Sequence, residues 1–291
     1  MKKLLQILFC CVMLFSTSAI AQGYTIGVLA KRGTDGFYDR WLMHAAYLEK
    51  ATGQSFTVKP LKFTEIDSAV ASGEIDFLLT NSSMYIALKE KYGIKAIATM
   101  LNNTSYGVKI SQFGGVIFTR ASSSVNSLAD VKNKTFIAVK KTSLGGYQMA
   151  LKEFMDNNID LKATAANLEF ANTHDNVVKE VLARENTVGT VRSDVLENME
   201  LNGFLSMSNI KILNQKKSNN FPYVVSTPLY AEWPMASLAK TDKQIEAKVS
   251  NALKQMQADD LAAELAGIAG WVSPLDYSNV KTLLQSIGLL Q

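Results

Sequence analysis

Short β-rich runs alternate with helical stretches along nearly the whole chain, and this alternation restricts the fold more than any other feature. Strands are expected at residues 24–30, 56–61, 75–79, 94–101, 116–119, 136–139, 168–170, 188–191 and 210–213. Helical patterns fill residues 34–51, 65–72, 82–91, 146–157, 175–184 and 193–202. In the first of these, Phe37, Trp41, Ala45 and Leu48 share one face. Repeated β–α order predicts an α/β protein with helices covering a mainly parallel sheet. Loops near 114–115 and 219–222 bracket a self-sufficient set of βα units, while the flanking pieces need each other. Two lobes are therefore expected, residues 22–116 with 222–291 forming one and 117–221 the other, joined by two crossing strands. The C-terminal part is more helical. Thr241-Asp242-Lys243-Gln244 reads as a capping box ahead of a stripe of Ile245, Val249, Ala252, Leu253 and Met256.

Residues 1–21 read as a cleavable secretory leader. Lys2 and Lys3 precede an apolar run over 4–15, and Ala19-Ile20-Ala21 gives an A-x-A cleavage pattern. The apolar run is short for a membrane span. A lipid anchor on Cys10 or Cys11 is the other alternative, although bulky Leu8-Phe9 precede them where small residues are wanted. An exported, periplasmic protein follows. The two cysteines both lie in this leader, so the body has no disulfide, thiolate metal site or cysteine nucleophile. A formal net charge of +4 on 291 residues is too weak for a nucleic-acid binder.

Polar residues concentrate where strands pass into helices, the edge at which open parallel sheets bind ligands. Helix N-termini there offer N–H donors and a positive dipole end. Arg32 follows the first strand, where a bidentate grip on an anion competes with a solvated side chain. Asn81 and Ser82 follow the third strand and suit either a ligand or a helix cap. Thr142, Ser143, Leu144, Gly145 and Gly146 follow the strand at 136–139. They read as hydroxyls and glycines that bring backbone N–H groups close to an oxyanion, matching neither a P-loop nor a dinucleotide motif. His174 opens the helix at 175–184, whereas His44 sits mid-helix among apolar residues and reads as structural. Arg192 comes directly off an apolar strand, where a charge points into a cleft or is buried. Asp194 after it reads as a helix cap. Phe37, Tyr85 and Tyr147 are candidates for lining the cleft. One histidine with no Cys/His/Glu cluster does not make a metal site, and no cofactor is expected. Catalysis is disfavoured because Asp175, adjacent to His174 on a helix, does not face it as a triad acid must.

Three blocks carry a resemblance: Ser127-Leu128-Ala129-Asp130-Val131-Lys132-Asn133-Lys134, Thr142-Ser143-Leu144-Gly145-Gly146-Tyr147 and Thr173-His174-Asp175-Asn176-Val177-Val178. They resemble the phosphate/phosphite/phosphonate-binding family of periplasmic substrate-binding proteins. The resemblance implies a type II periplasmic-binding fold with two α/β lobes, a ligand between them and delivery to an ABC importer. It also implies oxyanion contacts from Thr142, Ser143 and His174, with Leu144 standing where the family's loop carries another hydroxyl. The blocks at 27–33, 113–120, 189–194 and 270–277 are similar to a branch that serves as the sensing domain of tetrathionate-type histidine kinases. The chain is then expected to be a free-standing monomer that binds a small phosphorus or sulfur oxyanion. Its membrane partner would be an ABC permease or, alternatively, a sensor kinase.

Overall fold

The computed structural model describes residues 23–290 apart from 31–33 and 219. The leader at 1–21 and Arg32 lie outside the described residues. The elements run β1 (Tyr24–Leu29), α1 (Phe37–Thr52), β2 (Phe56–Leu61), α2 (Ile66–Ser72), β3 (Phe77–Leu79), α3 (Ser82–Tyr92), β4 (Lys95–Asn103), β5 (Lys109–Ile110), β6 (Gln112–Phe113), β7 (Gly115–Arg120) and β8 (Thr135–Ala138). A π turn (Leu144–Gln148) leads into α4 (Met149–Asp156). Then follow α5 (Leu161–Thr164), β9 (Asn167–Phe170), α6 (His174–Ala183), β10 (Thr187–Arg192), α7 (Val195–Leu201), β11 (Ile210–Leu213), β12 (Tyr230–Ala231), β13 (Pro234–Ser237), α8 (Lys243–Gln255), α9 (Leu261–Ala266), β14 (Gly270–Val272) and α10 (Ser278–Ser286).

Two mixed sheets, each with a block of three adjacent parallel strands (β2-β1-β3 and β10-β8-β9), form two lobes. Lobe 1 has the order β14-β4-β13-β3-β1-β2, with β5 appended to β4; lobe 2 has β11-β7-β10-β8-β9. β5 and β14 lie antiparallel to β4 at the edge of lobe 1, and the other two reversed strands have a common cause. The chain crosses between lobes through β6 and returns through β12, which pair with each other as Tyr230↔Phe113 and Ala231↔Gln112. Each crossing feeds a strand that enters its sheet backwards: β7 lies antiparallel to β10 and β11, and β13 antiparallel to β3 and β4.

The continuous apolar runs of β3 and β8 follow from burial on both faces. In lobe 1, one face packs Leu48, Val249, Leu253 and Ala263 against Phe77 and Leu79, and the other packs Ile66, Ile86, Val280 and Leu283 against Leu78. In lobe 2, Phe136 and Ala138 meet Leu151 and Phe154, while Ile137 and Val139 meet Val177, Val181 and Leu196. With every parallel strand covered this way, the loops at the strands' carboxyl ends are the segments free to face the other lobe.

Several expected details shift. Met155 on α4 is half exposed, although the helical pattern at 146–157 placed it inward with Leu151 and Phe154; Phe154 takes the core position beside it. The helix expected from 146 starts as the π turn. Asp242 rather than Thr241 caps α8, accepting from Gln244 and Ile245 N–H, while the Thr241 hydroxyl donates to the Asp76 carbonyl. Tyr85 and Tyr147 are core residues, each under 5% exposed.

His44 is buried between the rings of Trp41 and Trp271, at centroid distances of 4.9 and 6.0 Å, and neither ring nitrogen has a hydrogen-bond partner among the described residues. Burial lowers its pKa from 6.5 to about 4. Between those values the unfolded chain binds the proton and the folded one does not. Stability is therefore unaffected by His44 above about pH 6.5, and falls by roughly 3 kcal/mol in total as the pH drops through about 4. Urea unfolding of wild type and His44→Leu across this range should show the variant losing that acid-side decline; an unchanged pH slope would contradict the account.

Candidate oxyanion-binding cleft

Four strand-to-helix junctions converge on the space between the lobes: the β3–α3, β8–π turn, β9–α6 and β10–α7 loops. A cavity of about 360 Å³ there is lined by Asn81 and Phe63 from lobe 1, Phe113 and Trp233 from the crossing region, and Lys140, Ser143, Leu144, Gly145, His174, Lys179 and Arg192 from lobe 2. A second cavity of about 280 Å³ adjoins it on the lobe 1 side, reached past Arg192, Asp194 and Trp233, and includes Phe37, Trp41, Asn102 and Asn198.

The glycine loop is built for close approach. Ser143 precedes the π turn in extended conformation, and its hydroxyl accepts the Gly146 N–H at 3.2 Å. A Cβ on Gly145 would lie 2.8 Å from both Arg192 Cβ and the Phe113 ring. One on Gly146 would lie 2.4 Å from Val139. Gly145 thus lets the loop lie directly on Arg192, and Gly146 lets it lie on β8. The Gly146 N–H is committed to Ser143, so Gly146 serves packing rather than the cavity.

His174 begins α6, which Thr173 caps through the Asn176 N–H. The Arg192 backbone N–H donates to His174 Nδ1 at 3.3 Å. That bond requires an unprotonated Nδ1 and puts the neutral ring's proton on Nε2, making Nε2 a donor. Arg192 itself is 12% exposed and carries two carboxylates: Nε donates to Asp194 at 2.8 Å and Nη2 to Glu232 at 2.6 Å. Its guanidinium lies 4.5 Å from the centre of the Phe113 ring. Burial alone would lower its pKa, but Asp194 and Glu232 more than reverse this, so it stays charged. Nη1 makes no hydrogen bond among the described residues. Arg192 is therefore a fixed donor with its charge already matched, and the ionic attraction for an anion falls to Lys140, Lys179 and the helix ends. Arg192→Ala would leave Glu232 buried without its cation and so destabilise the fold as well as the site. Asp194 sits at the cap position of α7 yet makes no side-chain cap bond, its carboxylate being turned to Arg192.

The remaining candidates fall elsewhere. Asn81 caps α3 by accepting the Met84 N–H at 2.9 Å and donates across the cleft to the Thr142 carbonyl at 3.4 Å. Thr142 is exposed and contributes that carbonyl, with its side chain outside the cavity lining. Ser82 is fully buried, its hydroxyl donating to the Ala231 and Glu232 carbonyls, which ties α3 to the returning segment. Tyr85 accepts from the Ala96 N–H and packs edge-on to Tyr277 inside lobe 1. Sequence reasoning missed Glu232, Lys179, Phe63 and Trp233. Glu232 had a readable signal, a lone carboxylate inside the apolar run Leu229-Tyr230-Ala231-Glu232-Trp233-Pro234. Among the described residues no group of three His, Cys, Asp or Glu side chains is placed to hold a metal ion.

The two-lobed scaffold has a counterpart among known families. Residues 26–278 match the model of the periplasmic substrate-binding proteins of phosphonate ABC transporters. The chain belongs to that family. It is a family of binding proteins rather than enzymes. Over 273 residues the chain is 28% identical to the tetrathionate sensor histidine kinase TtrS of Salmonella typhimurium, covering 92% of this chain and 44% of that protein. It thus spans less than half the length of this curated relative. PhnD1 of Prochlorococcus marinus in complex with methylphosphonate shares the fold at TM-score 0.71 and 13% identity, over 92% of this chain and 99% of that one. The binding component of a phosphonate ABC transporter from Pseudomonas aeruginosa does so at 0.64 and 14%, over 92% and 85%.

Gly145→Ala tests the close approach of the loop. Its methyl group forces the loop off Arg192, at about 1–3 kcal/mol for overpacking. Urea denaturation should register that loss, and calorimetry a weakened ligand; unchanged stability and affinity together would contradict the reading.

Proposed function

We propose that this protein captures a small oxyanion between its lobes in the periplasm and presents the closed form to a membrane partner. The observation that supports this best is the meeting of Gly145, His174 and Arg192 at one cavity wall. The chemistry is that of recognition by hydrogen bonds in a site with a slight cationic excess. Ser143 and the Gly145 backbone lie beside the anion position, His174 Nε2 donates, Arg192 Nη1 supplies a preset N–H edge, and Lys140 and Lys179 supply field. Asn81 adds a contact from lobe 1, so an anion held by both lobes favours closure through its differential contacts.

Family membership favours an ABC importer as the partner and a phosphonate-, phosphite- or phosphate-like ligand. The similarity to TtrS supports a second reading, in which a sulfur oxyanion such as tetrathionate or thiosulfate is bound and the closed form is read by a membrane histidine kinase. Among the described residues no helix is long and apolar enough to cross a membrane. Neighbouring permease and ATPase genes would favour import, and neighbouring kinase and response-regulator genes sensing.

Calorimetric titration of residues 22–291 against phosphate, phosphite, methylphosphonate, 2-aminoethylphosphonate, sulfate, thiosulfate and tetrathionate tests the reading. At least one should bind, and His174→Ala should weaken that ligand roughly tenfold to hundredfold, as expected for a lost hydrogen bond to a charged group. Binding of none, or full affinity in His174→Ala, would overturn it.

A further inference from the structure

Glu232 occupies an unusual position: one carboxylate meets both lobes, and its own backbone is part of the connection between them. It is fully buried, where the returning segment enters lobe 1 just after β12. Its Oε1 accepts from Arg192 Nη2 of lobe 2 at 2.6 Å and from Asn102 Nδ2 of lobe 1 at 2.7 Å. Its backbone N–H donates to the Ser111 carbonyl on the outgoing segment, and its carbonyl accepts from the Ser82 and Tyr277 hydroxyls. Arg192 meanwhile lines both cavities, and Glu232 borders the smaller of the two. Other contacts cross the cleft, namely Asn81 to Thr142, Lys140 over the Phe63 ring at 4.9 Å, and the Ser105 N–H to the hydroxyl of Tyr223, whose segment packs on lobe 2 through Val224 and Ser226 although the sequence assigned it to lobe 1. Of these, the Arg192–Glu232 pair alone joins two opposite charges.

We infer that Glu232 is a positioning residue that couples occupancy of the cleft to the relative position of the lobes, with its ion pair to Arg192 holding them together before ligand arrives. An anion on the Nη1 edge then adds to an existing closed population rather than creating it. Opening would strand a buried carboxylate and its arginine, a cost that keeps the pair together unless water reaches both. Removing the pair shifts the lobes toward open, and the apparent affinity falls by the fraction of closed form lost. Only this last step rests on the cleft binding an oxyanion.

The cysteine-free body allows a direct test. Exposed Ser68 of lobe 1 and Ser122 of lobe 2 are replaced by cysteine in residues 22–291 and spin-labelled, and the interlobe distance is measured without ligand. Glu232→Gln and Arg192→Gln should each lengthen or broaden the distance, and the double variant should do no more than either alone. Apparent affinity for whichever anion the wild type binds should fall roughly tenfold or more in each. Thermal melts establish that the variants are folded, and the double variant, which leaves neither charge of the pair behind, decides the matter if a single variant does not fold. An unchanged ligand-free distance in the folded variants overturns the inference, whatever happens to affinity, because the pair would then shape the pocket without setting the lobes. If no anion binds the wild type, the oxyanion reading fails while the distances still decide the coupling.

Discussion

A buried ion pair between Arg192 and Glu232 ties the end of a lobe 2 strand to the segment that carries the chain back into lobe 1. Neither charge could stay in that environment alone. Each is held by further hydrogen bonds, Arg192 by Asp194 and Glu232 by Asn102. Breaking such a pair by removing one partner is expected to cost about 3–5 kcal/mol, since the other is left uncompensated. The cavity depends on this arrangement. Arg192 forms the wall on which Gly145 rests, its backbone N–H sets the His174 tautomer, and its side chain stands between the two cavities.

The electrostatics follow from the same group. An arginine with two carboxylates does not offer net charge to a ligand; it offers directed donors that cost little reorganisation. In the proposed reading, recognition of an oxyanion rests on the fit of N–H and O–H groups from Gly145, His174 and Ser143, with the lysines supplying attraction at longer range. Asp175 does not back His174, whose Nδ1 faces the Arg192 backbone instead, so the histidine is oriented as a donor and not as a general base.

The layered α/β fold was legible because burial on both faces forces apolar runs such as Phe77-Leu78-Leu79, and helices between them keep a 3.6-residue stripe. The two-residue strands β5, β6 and β12 left no such trace, since a pairing that short has no periodicity of its own. At the strand ends the sequence located the right loops but could not orient their side chains. Asn81, Ser143, Leu144, Gly145, His174 and Arg192 reach the cavity, whereas Ser82 and Tyr85, equally polar and equally near, turn inward to satisfy backbone groups. Glu232 shows what a symmetric reading would have added. A lone charge in an apolar run flagged Arg192, and the same rule applied to Glu232 would have supplied its partner.

The family sets the scaffold. The most direct test of the central claim is a crystal structure of the protein with the oxyanion it binds in titration. The account predicts the anion between the lobes, within hydrogen-bond distance of the Gly145 N–H, His174 Nε2 and Arg192 Nη1, with Arg192 still on Glu232. An anion seated elsewhere, or one that reaches the cleft without touching Gly145 or His174, would contradict it.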